Sequence, residues 1–195
     1  MTNPKHSSQS QNWYTPMDIL DRSRAVMGTI DLDPASDPFG NERLQARKYY
    51  TEQADGLGQP WGSPEDPSVV FCNPPGGKDG NKSQPLMFWQ KLTEELDKGH
   101  IKVAMFLAFS IEQLQSSQKC ANPMTNHSLC IPKRRIQFED AQGQKAKSPT
   151  HASAIILVRG KTAPLASATL FFVMFHQLGS ILMPHMRLSS AAEVL

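Results

Sequence analysis

Val69-Val70-Phe71-Cys72-Asn73-Pro74-Pro75-Gly76 decides the reading of this 195-residue chain. The four apolar residues read as a short strand buried on both faces, the kind found inside a parallel sheet. Two consecutive prolines end it, because neither donates a ladder hydrogen bond and both fix φ. Asn73 and the Pro74 carbonyl are thereby aimed from the carboxyl edge of a sheet, where open α/β folds bind ligands. A neutral amide oxygen and a backbone carbonyl together accept two hydrogen bonds from one exocyclic amino group, leaving the nitrogen lone pair free for an electrophile. Asn-Pro and Pro-Gly are also ordinary turn signals, so the four residues taken alone favour a plain turn, and the functional reading draws on the motifs around them.

Working outward, strand and helix patterns alternate. Thr15 as N-cap and Pro16 at the first helical position open a helix with Ile19, Leu20, Val26 and Met27 on its apolar face and Gly28 as its stop. Residues 29–33 read as a short strand, 37–45 as loop or weak helix, and 48–51 as a second strand. After the 69–72 strand, residues 76–82 read as a mobile, basic, glycine-rich loop. Residues 85–98 form a helix with Leu86, Trp89, Leu92 and Leu96 on one face and Gly99 as its cap. Residues 103–109 are the most strongly patterned strand, and 111–117 a short helix. Segments 129–131 and 135–138 read as strand pieces broken at Pro132, joined by a polar hairpin loop to a strand at 152–158. A helix at 165–178 and an edge strand at 180–183 complete the pattern. The fold class is α/β: a mostly parallel, Rossmann-like sheet with an antiparallel C-terminal hairpin and helices on both faces.

Composition sets the bounds. The length suits one domain, read here as residues 13–185 between a disordered tail at 1–12 and a C-terminal tail at 186–195. Hydrophobic residues make up 39% and mean hydropathy is −0.42. No apolar run approaches the roughly 20 residues that span a bilayer, and the polar N-terminus lacks a signal-peptide core, so the cytoplasm is the expected location. Three cysteines, Cys72, Cys120 and Cys130, argue against a disulfide framework. Cys120, His127 and Cys130 match no common zinc spacing and lack a fourth ligand, so no metal is expected. The net charge of +2 is too small to imply nucleic acid, but Lys133, Arg134, Arg135, Lys145 and Lys147 are clustered against only Glu139 and Asp140. That cluster suits either a basic contact patch or a solvated hairpin.

Three further motifs carry possible chemistry. Asp33-Pro34-Ala35-Ser36 ends the first strand, where a carboxylate faces a ligand's ammonium or ribose hydroxyls; an Asp-Pro turn is the ordinary alternative. Asp55, in Ala54-Asp55-Gly56-Leu57, can accept from an adenine amino group at the same edge, although Asp-Gly is also a stock turn. Trp61 beyond it reads as core. Trp13-Tyr14-Thr15-Pro16 precedes the first helix, whose free N–H groups suit a carboxylate. The dinucleotide glycine fingerprint is missing, which disfavours a nicotinamide or flavin oxidoreductase.

The ordered set Trp-Tyr-Thr-Pro, Ile-Asp-Leu-Asp-Pro-Ala-Ser, Tyr-Tyr-Thr, Asp-Gly-Leu with Trp61, Asn-Pro-Pro and Cys-Ile-Pro-Lys-Arg-Arg-Ile-Gln-Phe resembles the phage-type DNA adenine-N6 methyltransferases over residues 13–158. The element pattern likewise resembles the sheet of S-adenosylmethionine-dependent methyltransferases. The resemblance implies a phage- or prophage-encoded enzyme that uses S-adenosyl-L-methionine to methylate adenine N6 in double-stranded DNA. It implies that Trp13, Thr15 and Pro16 meet the methionine end of the cofactor and that Asp33, Pro34 and Ala35 line the same pocket. It further implies that Asp55 accepts from the cofactor adenine and that Asn73, Pro74 and Pro75 hold the target amino group. A flipped base usually stacks on an aromatic that ends the motif, and here that position is Gly76. Either another aromatic replaces it, from Phe109, Phe88 and Trp89, with Phe109 best placed at the end of its strand, or the loop at 76–83 folds over the base.

Lys78 and Lys82 of the glycine-rich loop, with Lys133, Arg134 and Arg135, are the expected phosphate contacts. With no separate recognition domain, specificity must come from loops, and a monomer is expected. Asn-Pro-Pro also serves RNA and protein amino-methylation. A catalytically degenerate DNA-binding chain that keeps the fold is the non-enzymatic alternative, and Gly76 is its support.

Overall fold

A computed structural model describes residues 13–145 and 151–184. The tails expected at 1–12 and 186–195, and Lys147 of the basic cluster, lie outside the described residues. The elements run α1 (Met17–Met27), β1 (Leu32–Asp33), α2 (Pro38–Leu44), β2 (Lys48–Tyr49), β3 (Ser68–Cys72), β4 (Lys78–Asp79), β5 (Lys82–Ser83), α3 (Gln84–Asp97), β6 (Ile101–Ala108), α4 (Glu112–Ser116), β7 (Ser128–Pro132), β8 (Ala154–Arg159), α5 (Ala166–Phe175) and β9 (Gly179–Leu182).

Seven strands form one sheet in the order β2-β1-β3-β6-β8-β7-β9. The pairings from β2 to β6 are parallel, and those from β6 to β9 antiparallel. Only β8 and β9 therefore run against the rest, so the sheet is mostly parallel with an antiparallel C-terminal part. β9 is an edge strand, as its position after the last helix suggests.

The apolar run in β3 is buried on both faces, and alternate residues serve different cores. Val69 and Phe71 join Met105, Leu107, Ile155 and Leu157 beneath Ile19 and Leu20 of α1 and Phe171 and Phe175 of α5. Val70 and Cys72 join Ala104, Phe106, Ile156 and Val158 beneath Phe88, Trp89 and Leu92 of α3. Helices thus cover both faces, and the double burial holds the carboxyl end of β3 at a fixed level.

Several local expectations are corrected. α1 begins at Met17, because Pro16 keeps an extended ψ of 146° and acts as the cap; Thr15 makes no capping bond. The Pro16 carbonyl instead accepts from the Ile19 and Leu20 N–H groups. Of the two alternatives at 37–45, the helix is the one formed, over residues 38–44, capped by Asp37 Oδ1 accepting from the Gly40 N–H at 2.7 Å. Residues 78–83 form a small hairpin where a mobile loop was expected. Its Gly80-Asn81 turn needs the positive φ of 57° that glycine adopts freely. Residues 135–138 are not a strand. They form an extended span whose end, Glu139, exchanges backbone hydrogen bonds with Tyr14 at 2.7 and 3.0 Å. β8 instead pairs with β6 on one side and β7 on the other.

Candidate active site

The carboxyl ends of β1, β3 and β6 open into one cleft of about 1210 Å³. Trp13, Thr15, Asp33, Pro34, Ala35, Asp55, Asn73, Pro74, Pro75, Gly76 and Phe109 all line it. Segments far apart in sequence are thus brought together at the edge that β3 marks.

Asn73 follows β3 directly and is half-buried, while Pro74 is buried and Pro75 and Gly76 are exposed. Among the described residues, the Asn73 amide has no hydrogen-bond partner, and no backbone donor takes the Asn73 or Pro74 carbonyl. The site therefore presents acceptors held rigidly by two prolines and left unused by the fold.

Asp33 ends β1 and is only 5% exposed. Burial raises its carboxyl to about 7, assisted by the nearby Asp37 charge and opposed by hydrogen bonds from the Ala35 N–H and Ser36. The Ala35 N–H donates to Asp33 Oδ1 at 3.1 Å. A buried carboxyl that ionises near neutrality gains most from a cationic group placed beside it.

Asp55 is exposed in a loop on the same edge, with a left-handed φ of 51°. The loop is pressed onto the Asp33-Pro34 turn by Gly56, where a Cβ would stand 1.9 Å from the Pro34 carbonyl oxygen. Only glycine permits this approach. Trp61 is 1% exposed and donates its indole N–H to the Gly56 carbonyl at 2.7 Å, so its core role also fixes the Asp55 loop. The Trp61 N–H in turn donates to Glu95 Oε2, and Glu95 pairs with Lys91, Lys98 and His100 at 3.0, 3.2 and 2.8 Å. Burial alone would raise Glu95, but His100, Lys91, Lys98 and the Trp61 N–H outweigh it and bring the carboxyl down to about 2.

Another part of the wall is a polar lattice that sequence reasoning missed. Tyr14 donates its hydroxyl to Asp37 Oδ2 at 2.8 Å, and its ring packs edge-on to Phe39 with centroids 4.7 Å apart. Arg43 bridges Glu139 Oε2 at 2.6 Å and the Thr15 carbonyl at 3.2 Å. These bonds tie residues 13–15, α2 and the 135–140 span together, placing buried Ile136 and Phe138 on the cleft wall. The Tyr14-to-Asp37 and Arg43-to-Glu139 separations leave no local signal. Gly56 was visible, but only as half of an ordinary turn.

The remaining expected residues lie around the cleft rather than in it. Pro16 caps α1 and does not line the cavity. Lys78 and Lys82 are exposed on the β4–β5 hairpin, whose Asp79 reaches the cleft, and Lys82 borders a smaller hollow of about 480 Å³ beside α3. Lys133, Arg134 and Arg135 are exposed and follow β7, which runs parallel to β6 and so ends at the same edge. Of the candidate stacking rings, Trp89 is fully buried against Phe106, while Phe88 reaches the cleft but is 6% exposed beside Trp61. Phe109 is 39% exposed.

Among the described residues, no group of three or more His, Cys, Asp or Glu side chains is arranged to hold a metal ion, and no helix is long and apolar enough to cross a membrane. No curated protein and no solved structure matches the chain. A family model described as DNA N-6-adenine-methyltransferase (Dam) does match, over residues 2–174, and with that span covering most of its length the chain belongs to this family.

Proposed function

We propose that this chain is a DNA adenine-N6 methyltransferase that uses S-adenosylmethionine and acts through Asn73 and Pro74. Family membership implies N6 methylation of adenine in DNA and S-adenosylmethionine as methyl donor. The observation that carries the assignment to residues is the pair of unused acceptors, the Asn73 amide oxygen and the Pro74 carbonyl, on the wall of the large cleft. On this reading the sheet is the Rossmann-like sheet of methyltransferases.

The residues present fit the methyl donor. Asp33 offers a buried carboxyl for its ammonium, with Trp13 and Thr15 flanking the same part of the cleft. Asp55, held close by the Gly56–Pro34 contact, offers an acceptor for its adenine amino group. When bound, S-adenosylmethionine supplies an electrophilic methyl group. The Asn73 amide oxygen and the Pro74 carbonyl accept hydrogen bonds from the two N6–H groups, and this turns the nitrogen lone pair out of conjugation with the ring. Pro75 keeps the acceptors from relaxing. Catalysis then rests on orientation, worth up to about 7–11 kcal/mol. Lys78, Lys82, Lys133, Arg134 and Arg135 are the phosphate contacts that position the duplex around the flipped base.

The test is methyl transfer from labelled S-adenosylmethionine to DNA, RNA and protein, compared with calorimetric binding of the cofactor. Label in DNA alone, lost in Asn73→Ala while cofactor binding persists, supports the proposal. Label in RNA or protein instead refutes the substrate, and equal loss of binding and transfer refutes Asn73 as a substrate-side residue. A second reading, an inert DNA-binding chain, draws on Gly76 and requires no cofactor binding even at millimolar concentration.

A further inference from the structure

Gly76 stands where a stacking ring is expected, and a Cβ added there would meet nothing within 4 Å. The space beside Gly76 is therefore open, and another group has to hold a planar ligand. Cys72 pairs with Phe106 across the β3–β6 ladder. Phe109 lies three residues beyond Phe106 as Pro75 lies three beyond Cys72, and Phe109, Pro75 and Gly76 all line the cleft. Phe109 is an exposed ring in the cleft, and its neighbour there is His151, with ring centroids 4.6 Å apart and planes tilted by 50°. Nothing in the local sequence marks His151, which precedes β8 and meets Phe109 only because β8 lies beside β6.

Both rings sit on rigid supports. Ser153 donates its hydroxyl to the Phe109 carbonyl at 3.2 Å, and the Ile111 N–H donates to the Ala152 carbonyl at 2.7 Å. The two strand ends are thus stitched together on either side of the ring pair. Phe109 is 39% exposed and His151 is exposed, and both line the cleft, so aromatic surface of the pair stays accessible there.

We propose that Phe109 and His151 form a two-ring platform that stacks on the extruded adenine, replacing the ring that Gly76 lacks, and that His151 is a substrate-positioning residue of this chain. This rests on the methyltransferase reading given above. Every base has a π-face, so the platform supplies affinity for a base as such, while Asn73 and Pro74 select an amino group. Phe88 and Trp89 are spoken for by the core and do not share this role.

The test uses leucine substitutions, which keep side-chain bulk at these exposed positions but remove the aromatic face. Steady-state methylation of plasmid DNA lacking N6-methyladenine is measured at saturating S-adenosylmethionine, with cofactor binding followed by calorimetry. Phe109→Leu and His151→Leu are expected to lose about 5- to 150-fold in kcat/KM for DNA, the range for removing one base–aromatic stack, with cofactor affinity unchanged. His151→Phe should retain activity near that of the wild type. Gly76→Tyr should restore much of the loss in the Phe109→Leu background, because its ring enters open space. Wild-type kinetics in both leucine variants, or equal damage in His151→Phe and His151→Leu, overturns the platform and leaves the methyltransferase function standing. A wild-type chain that binds the cofactor but methylates no DNA overturns the function, and the platform with it.

Discussion

Replacing Asp33 with asparagine should make the protein more stable and a worse binder of its cofactor. Asp33 is 5% exposed, and its carboxyl is raised from 3.8 to about 7, chiefly by burial. A raised acid pKa means that the folded state holds a proton that the unfolded chain releases. The Asp33 contribution to stability therefore falls as pH rises from about 4 through about 7, and is flat above. Raising the carboxyl from 3.8 to about 7 corresponds to at most about 4 kcal/mol of folding free energy missing at pH 8. The substituted amide carries no ionisable group and keeps an oxygen for the Ala35 N–H, so Asp33→Asn should recover about 1–3 kcal/mol at pH 8 once its weaker hydrogen bond is allowed for. At pH 4 the two proteins should unfold alike. Urea titrations at pH 4, 6 and 8 measure this directly. If Asp33→Asn is no more stable than the wild type at pH 8, the burial argument fails. The functional half follows from the same charge. A cationic ligand beside Asp33 favours the ionised form, so S-adenosylmethionine binding near pH 6.5 should release protons, seen calorimetrically as a dependence of the heat on buffer ionisation enthalpy. Asp33→Asn should abolish that release and weaken binding. Buffer-independent heat in the wild type would remove Asp33 from the cofactor site.

Gly56→Ala should abolish cofactor binding at a cost of about 3 kcal/mol in stability, because its methyl group would stand 1.9 Å from the Pro34 carbonyl and push the Asp55 loop off the Asp33 turn; thermal melts and calorimetry check both parts. Glu95→Gln should lose about 1–3 kcal/mol at pH 7, since it leaves Lys91 and His100 without their carboxylate. The Glu95 contribution is present above about pH 4.5 and is lost as pH falls toward 2, so denaturation of wild type and variant should converge in strong acid. His127, held neutral by burial with its pKa down to about 4, adds an acid-labile component lost as pH falls from 6.5 to 4. His127→Gln should flatten the stability profile in that window, and an unchanged slope would contradict the assignment.

The central strand and its ending were legible because the physics is local. Four apolar residues cut off by two prolines leave few structures other than a doubly buried strand stopping at a sheet edge. Asp33 and Asp55 were legible as carboxylates near that edge, but not what fixes them. The contact of Gly56 with Pro34, and the bond from Trp61, exist only once the loop is folded onto the turn. The helix at 38–44 was read weakly because seven residues with a single buried side chain carry almost no periodicity, and its Asp37 cap is what defines it. Residues 135–138 misled by their alternation. Ile136 and Phe138 do point one way together, but into the wall of the cleft and not onto a paired strand. His151 lies in a polar stretch with no pattern of its own, and its partnership with Phe109 depends on a strand order that no sequence motif encodes.

The most direct measurement is quantification of N6-methyladenine, by nucleoside mass spectrometry, in unmethylated double-stranded DNA incubated with S-adenosylmethionine and either the wild-type chain or Asn73→Ala. N6-methyladenine is expected with the wild type and none above background with Asn73→Ala, with cofactor affinity in the variant near that of the wild type. A wild-type chain that leaves the DNA unmethylated, or an Asn73→Ala variant that methylates it at an undiminished rate, would contradict that expectation.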